Sequence, residues 1–194
     1  MAKVVKPKKV EKASLWKTSR RFRSATAWVF EILAAIALAA IFTAAFCYSV
    51  PVQDSSMAPT CVTGDRVLVN RAVYRIGKVR RGDLVAYRSN KSLDSAIHLK
   101  RVIGLPGDKV QIRDGLVVIN DETYIEDSSY PSIINPGLAA EPVTLGQNEY
   151  FVLGDNRNDS QDSRFADVGN LTKAEMIGRV WFRFRTDVRP MFVS

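Results

Sequence analysis

Residues 97–120, IHLKRVIGLPGDKVQIRDGLVVIN, decide the fold. The stretch divides into three short runs rich in β-branched residues, Ile97–Gly104, Lys109–Arg113 and 116–120, each of strand length. Between the last two, Asp114-Gly115 supplies side chains that tolerate positive φ, so these runs predict a tight two-residue hairpin. The first run ends in a Gly/Pro turn at residues 104–107. Outward from here the pattern repeats: Arg66–Asn70, 83–88, 150–153 and 179–184 also read as strands. One short helix is expected over 171–177, with Asn170 as its N-cap and Gly178 stopping it. Residues 127–148, punctuated by Gly and Pro, read as a long surface loop. The expectation is a mainly β, antiparallel domain over 51–194, with Greek-key or barrel-like closure.

Upstream of this domain the composition changes. Residues 1–23 carry nine basic side chains against Glu11 alone, which accounts for the whole net charge of +8. A groove for nucleic acid needs its excess charge on the folded domain, so the sequence gives no expectation of such a partner. From Ile32 to Val50, 19 consecutive residues carry no charge, and the apolar region reaches back to Ala25. About 20 helical residues cross the hydrocarbon core of a bilayer. Residues 24–50 are therefore expected to form one transmembrane helix, with Glu31 near the interface and Trp28 and Tyr48 in the aromatic belts. The basic tail, 1–23, belongs in the cytoplasm by the positive-inside bias, which puts 51–194 outside the cell membrane. A cleavable leader has a shorter apolar core and a small-x-small site, whereas this segment runs into Tyr48-Ser49-Val50-Pro51. Cys47 and Cys61 are too few for a disulfide framework and read as two lone thiols. With one His and no Cys-x-x-Cys, no metal or cofactor is expected.

Three segments of the domain could carry chemistry. Ser55-Ser56-Met57-Ala58-Pro59-Thr60 lies about six residues past the apolar segment, so Ser56 is within about 20 Å of the membrane surface. The second segment is the 100–108 run, KRVIGLPGD, and the third is the polar loop 154–164, GDNRNDSQDSR. A serine that attacks an amide needs a base. His98 is the only histidine, and Lys100 could serve if an apolar site lowers its pKa from about 10.4. Alternation along a strand puts His98 and Lys100 on one face, with Leu99 and Arg101 on the other, so spacing leaves the two bases open.

The three segments, in this order behind an apolar anchor, resemble the signature boxes of bacterial type I signal peptidases: Ser-Met-x-Pro-Thr, Lys-Arg-x-x-Gly-x-Pro-Gly-Asp and Gly-Asp-Asn-Arg-x-x-Ser-x-Asp-Ser-Arg. The resemblance spans roughly residues 25–185. It implies a membrane-bound Ser–Lys endopeptidase that removes signal peptides from exported preproteins near the export translocon. Ser56 is then the nucleophile and Lys100 the general base, and His98 is incidental. Ser160 would orient the lysine, Asp155, Asp162 and Arg164 would support the loop, and Met57 and Pro59 would help line the substrate groove. One position departs from the family: Asp54 stands two residues before the nucleophile, where Ser or Gly is usual. A carboxylate repels a developing oxyanion, so Asp54 is expected to point away and leave the Ser56 N–H as the principal donor. Two other readings remain at this level, a peptidase dedicated to one exported partner and an anchored β-domain that binds without cleaving.

Overall fold

The computed structural model describes residues 11–88, 96–126, 130–185 and 191–192, and the chain divides after Ala45 into two units. The first unit is helical: α1 spans Glu11–Phe46. It begins within the expected tail, of which residues 1–10 lie outside the described part, and it ends four residues before the expected boundary at Val50. Within α1 the side chains at 26–41, 43 and 46 are described. Trp28, Val29, Phe30, Ile32, Leu33, Ile36, Leu38 and Ile41 are all exposed. Among the described residues no helix is long and apolar enough to cross a membrane.

The second unit opens with β1 (Cys47–Pro51), where an extension of the helix had been expected. The strand forms because β2 (Arg66–Asn70) pairs with it antiparallel along its full length, from Cys47 opposite Asn70 to Pro51 opposite Arg66. A one-turn helix, α2 (Val73–Ile76), follows. Then come β3 (Leu84–Arg88) and β4 (Ile97–Gly104), paired so that Val85 faces Lys100 and Tyr87 faces His98.

The hairpin is where the sequence places it. β5 (Lys109–Arg113) and β6 (Leu116–Ile119) pair from Arg113–Leu116 to Val110–Ile119. Asp114 and Gly115 both have positive φ, 52° and 76°, as a type I′ turn demands. β7 (Glu122–Thr123) extends this sheet on one side and β8 (Val143–Thr144) on the other. The segment expected as plain loop over 127–148 thus contributes β8 and a 3-10 turn, Gly137–Ala140; its residues 127–129 lie outside the described part.

β9 (Glu149–Leu153) pairs with β4, and β10 (Leu171–Thr172) pairs with β9. β11 (Met176–Phe184) lies between β2 and β3, and β12 (Met191–Phe192) pairs with its end. No helix forms over 171–177. Thr172 donates through both N–H and Oγ to Glu175 Oε2, each at 2.7 Å, which closes a single turn. Chain pairing then takes over, because Met176 is already opposite Tyr87 of β3. Gly178, expected to stop a helix, lies within β11, where a Cβ would come within 2.3 Å of Asn70 O.

The architecture is mainly β and antiparallel. The large sheet runs β1-β2-β11-β3-β4-β9-β10 and the small one β7-β6-β5-β8. Its end strands β1 and β10 do not pair with each other among the described residues, so the sheet is open and the expected barrel closure is not formed. One core holds Met57, Cys61 and Leu99 with the valines of β1 and β2. A second core, with Phe151 and Leu153, fills the interior beside the small sheet. β4 contributes to both, which fixes the strand that carries Lys100.

Candidate active site

Lys100 is only 2% exposed, although it ends in an ammonium group. Its strand explains this: β4 has neighbours on both sides, β3 and β9, and every residue from Leu99 to Gly104 is buried. Desolvation penalises the charged form, so burial pushes the Lys100 pKa below its ordinary value, against the opposing pull of Asp54 and Asp162. A lysine so placed is poised to accept a proton.

Ser56, 6% exposed, meets it. Lys100 Nζ donates to Ser56 Oγ at 2.6 Å. The segment carrying Ser56 is held in place from both ends. Met57 is wholly buried in the core, which draws the turn inward. The Ser56 carbonyl accepts from Asn156 N–H at 3.0 Å, tying the turn to the 154–164 loop. Ser55 Oγ donates to Asp159 Oδ2 at 3.0 Å in the same loop.

That loop is a set of buried charge pairs. Arg101, on the opposite face of β4 from Lys100, grips Asp155 with both prongs, Nε at 2.7 Å and Nη2 at 2.8 Å. Asp155 also accepts from Thr60 Oγ at 2.5 Å, which joins the loop to the Ser56 segment. Arg164 grips Asp162 the same way, at 2.8 Å through each nitrogen, and Asp162 Oδ2 accepts from Gly154 N–H at 3.0 Å. Arg157 pairs with Glu126. Bidentate pairing of this kind fixes orientation as well as charge. Asp155 and Asp162 are thus each held by a buried arginine, Arg101 and Arg164 respectively.

Other positions differ from expectation. Met57 belongs to the core and Pro59 is exposed; neither lines the cleft around Ser56. The cleft, about 450 Å³, is lined by Asp54, Ser56, His98, Lys100, Ser160 and Phe165, with Ser55, Asn158, Asp159 and Gln161 at its sides. Met57 is unavailable there because its side chain fills the core beneath the Ser56 turn. Ser160 does reach the cleft, but its buried Oγ has no hydrogen-bond partner, so a bond to Lys100 is not made in this arrangement. His98 is in the cleft too, yet its contact is with Asp54, Nδ1 to Oδ2 at 3.6 Å, an ion-pair distance rather than a hydrogen bond.

Asp54 does not point away. Its Oδ1 accepts from Ser56 Oγ at 2.6 Å and from Ser56 N–H at 3.1 Å. His98 and then the Ser56 hydroxyl hold the carboxyl well below the usual carboxylate range, against the opposing effect of burial. The two donors that acyl transfer needs elsewhere, the hydroxyl proton and the backbone N–H, are therefore both turned toward Asp54. The residue is short, and its position two before Ser56 allows this local Asx-type bond. That side-chain habit of Asp outweighs the repulsion expected for an oxyanion not yet formed.

Three contributors were not picked out from the residues. Gly154 has no room for a side chain: a Cβ would lie 2.2 Å from Ser160 Oγ and 2.5 Å from Ser56 O. Its place at the head of the third box was the available clue. Arg101 was read only as the neighbour of Lys100, although alternation already set it against a different partner. Asn156 acts through its backbone, which leaves no trace in residue type.

Comparison with known proteins extends this picture. Residues 25–185 match the family model described as signal peptidase, peptidase S26. Signal peptidase I of Bacillus licheniformis is 33% identical over 175 residues, covering 87% of this chain and 92% of that protein. Signal peptidase IB of Staphylococcus aureus is 30% identical over 172 residues, covering 81% and 87%. A crystal structure of a signal peptidase I from Enterococcus faecalis, 29% identical, covers 54% of this chain and 97% of its own at a TM-score of 0.41.

Proposed function

The chain belongs to the peptidase S26 family of signal peptidases, and on that premise we propose that Ser56 is its nucleophile and Lys100 its general base. It is a serine endopeptidase that removes signal peptides from preproteins. The observation that carries the residue assignment is the 2.6 Å contact between Lys100 Nζ and Ser56 Oγ in a buried setting.

The chemistry follows from that contact. Neutral Lys100 takes the Ser56 hydroxyl proton as Oγ attacks the scissile carbonyl, and the same proton then goes to the leaving amine. An acyl-enzyme on Ser56 Oγ results. Lys100 next takes a proton from the water that attacks the ester carbonyl and returns it to Ser56 Oγ as the acyl–oxygen bond breaks, which restores the hydroxyl and frees the acid product. The Ser56 N–H faces the oxyanion once Asp54 lets go of it. Ser160 would accept from Lys100 and orient it as the hydroxyl proton moves; what supports this is that its Oγ is unpartnered and lines the same cleft. No step calls for a metal or organic cofactor.

The second part of the reading concerns the membrane. Residues 24–46 anchor the enzyme in the cell membrane with the basic tail inside and the catalytic unit outside. What supports it is the uncharged run in the sequence and the exposure of large apolar side chains between Trp28 and Ile41 of α1. Anchoring raises the effective concentration of Ser56 at cleavage sites lying at the same surface. Small side chains at the first and third positions before the cut are expected, as in the family.

The test is to incubate the full chain in detergent with several unrelated preproteins, beside Ser56→Ala. Cleavage of all of them, lost in the variant, supports a general signal peptidase. Cleavage of one alone supports a dedicated processing enzyme, and no cleavage by the unaltered chain removes the catalytic reading.

A further inference from the structure

Away from Ser56, a cleft of about 390 Å³ opens between α2 and the ends of β3 and β11. Its lining includes Arg71, Arg75, Arg88 and Lys173, against Glu175 as its one acid. Four elements converge there: Arg71 follows β2, Arg75 is on α2, Arg88 closes β3, and Lys173 is in the turn before β11. Glu175 offsets one of the four charges, and its Oε2 accepts from the N–H and hydroxyl of Thr172, so the lining keeps an excess of cations. Lys173 Nζ donates to Gly77 O at 3.1 Å, and the Arg71 guanidinium sits 5.8 Å from the Tyr48 ring. Arg75 has no side-chain partner among the described residues, and Arg88 Nε is buried with none. A buried guanidinium nitrogen without an acceptor, in a cleft lined by three more cations, suits an anionic ligand.

We propose that this cleft binds the phosphate of an anionic phospholipid. The planar guanidinium forks of Arg75 and Arg88 match a phosphodiester, and a lysine adds a point charge. The location selects a lipid over a free anion. The Arg71 N–H donates to the carbonyl of Phe46 at 3.0 Å, the residue at which the chain leaves α1. Tyr48, 40% exposed, and Ile76, 92% exposed, put apolar surface beside the same cations. Cations with apolar neighbours at the exit of an anchor suit a headgroup whose acyl chains lie alongside. The inference rests on the reading of 24–46 as an anchor, and it adds a second, lipid-dependent tether that would fix how the catalytic unit sits on the bilayer.

The experiment uses the purified full chain in detergent, titrated with dioctanoyl-phosphatidylglycerol, dioctanoyl-phosphatidylcholine and inorganic phosphate, with bound ligand counted by native mass spectrometry. The expected result is saturable binding of phosphatidylglycerol, weakened about 10–30-fold in Arg75→Gln/Arg88→Gln, from about 1 kcal/mol for each cation removed. Phosphatidylcholine and phosphate bind far more weakly. Arg75→Gln alone, an exposed change, keeps the test open if the double variant does not fold, and is expected to weaken binding about fivefold. Equal binding by the unaltered chain and a folded variant overturns the site. Phosphate as tight as phosphatidylglycerol, or a chain released from liposomes by alkaline carbonate while the probe still binds, makes it a free-anion site and overturns the lipid assignment. Preprotein cleavage is read separately, so loss of the peptidase reading leaves the binding result standing.

Discussion

Replacing Asp54 with Ser removes the carboxylate that holds both Ser56 donors. Each bond to a charged acceptor contributes about 1.5–3 kcal/mol, so two would set a ceiling of several kcal/mol on what substrate must displace. The net effect is smaller. The Asp54 side chain is 41% exposed, so water takes over much of its solvation when it swings out, and the scissile carbonyl gives the Ser56 N–H a new acceptor. About 1–2 kcal/mol remains, which corresponds to a rise in kcat/KM of about 5–30-fold. A second effect has a definite sign. Asp54 pulls the Lys100 pKa up, because its negative charge stabilises the ammonium form. As the proposed general base, Lys100 would work only when neutral, so activity is expected to rise with pH through the pKa of this lysine. Removing Asp54 lets burial act with less opposition, and the acidic limb of the kcat/KM profile moves to lower pH. The assay is kcat/KM for one preprotein across pH 5–10 for both proteins. A fall of tenfold or more in Asp54→Ser, or a limb that moves to higher pH, would refute the reasoning and make Asp54 a working part of the site.

Three other expectations come from the same geometry. Gly154→Ala forces a Cβ against Ser56 O and Ser160; a drop of about 100-fold in kcat/KM with about 1–3 kcal/mol lost in urea melts is expected, and unchanged values in both would count against the close approach. Asp162→Asn leaves Arg164 buried without its charge partner, and should lower unfolding free energy by about 3–5 kcal/mol; a loss below about 1 kcal/mol would show that the pair is solvated. Cys61 is buried, and burial pushes its thiol up to about 12; native-state alkylation with a maleimide at neutral pH should therefore spare Cys61 until denaturant is added, whereas rapid labelling in buffer would contradict its burial.

Strand content was readable wherever one local rule governed it. Asp114-Gly115 announces its hairpin because turn chemistry is local. Pairing between distant segments was not readable. β1 continues an apolar helical run without any change in composition, and only β2 across from it makes it a strand. The same holds for 171–177, where a Thr172–Glu175 bond mimics a helix start and β3 then claims Met176. Of the site, residue types alone left His98 and Lys100 open as bases, and the roles given to Ser56, Lys100 and the third box came from the family resemblance. Asp54 was seen but misdirected, since weighing repulsion of an oxyanion ignored the two hydrogen bonds available in the resting state. Met57 was misplaced because its neighbours in sequence line the cleft while its own side chain faces the core.

The most direct test of the dyad compares Lys100→Ala with His98→Ala, as both side chains share one cleft and one strand face. The measurement is the single-turnover rate of preprotein cleavage at pH 8 by the folded full chain. A Ser56–Lys100 dyad predicts a loss of at least about 10³-fold in Lys100→Ala, within the range for removing a general base, and a change of less than about tenfold in His98→Ala. Near-full activity in Lys100→Ala together with its loss in His98→Ala would contradict it.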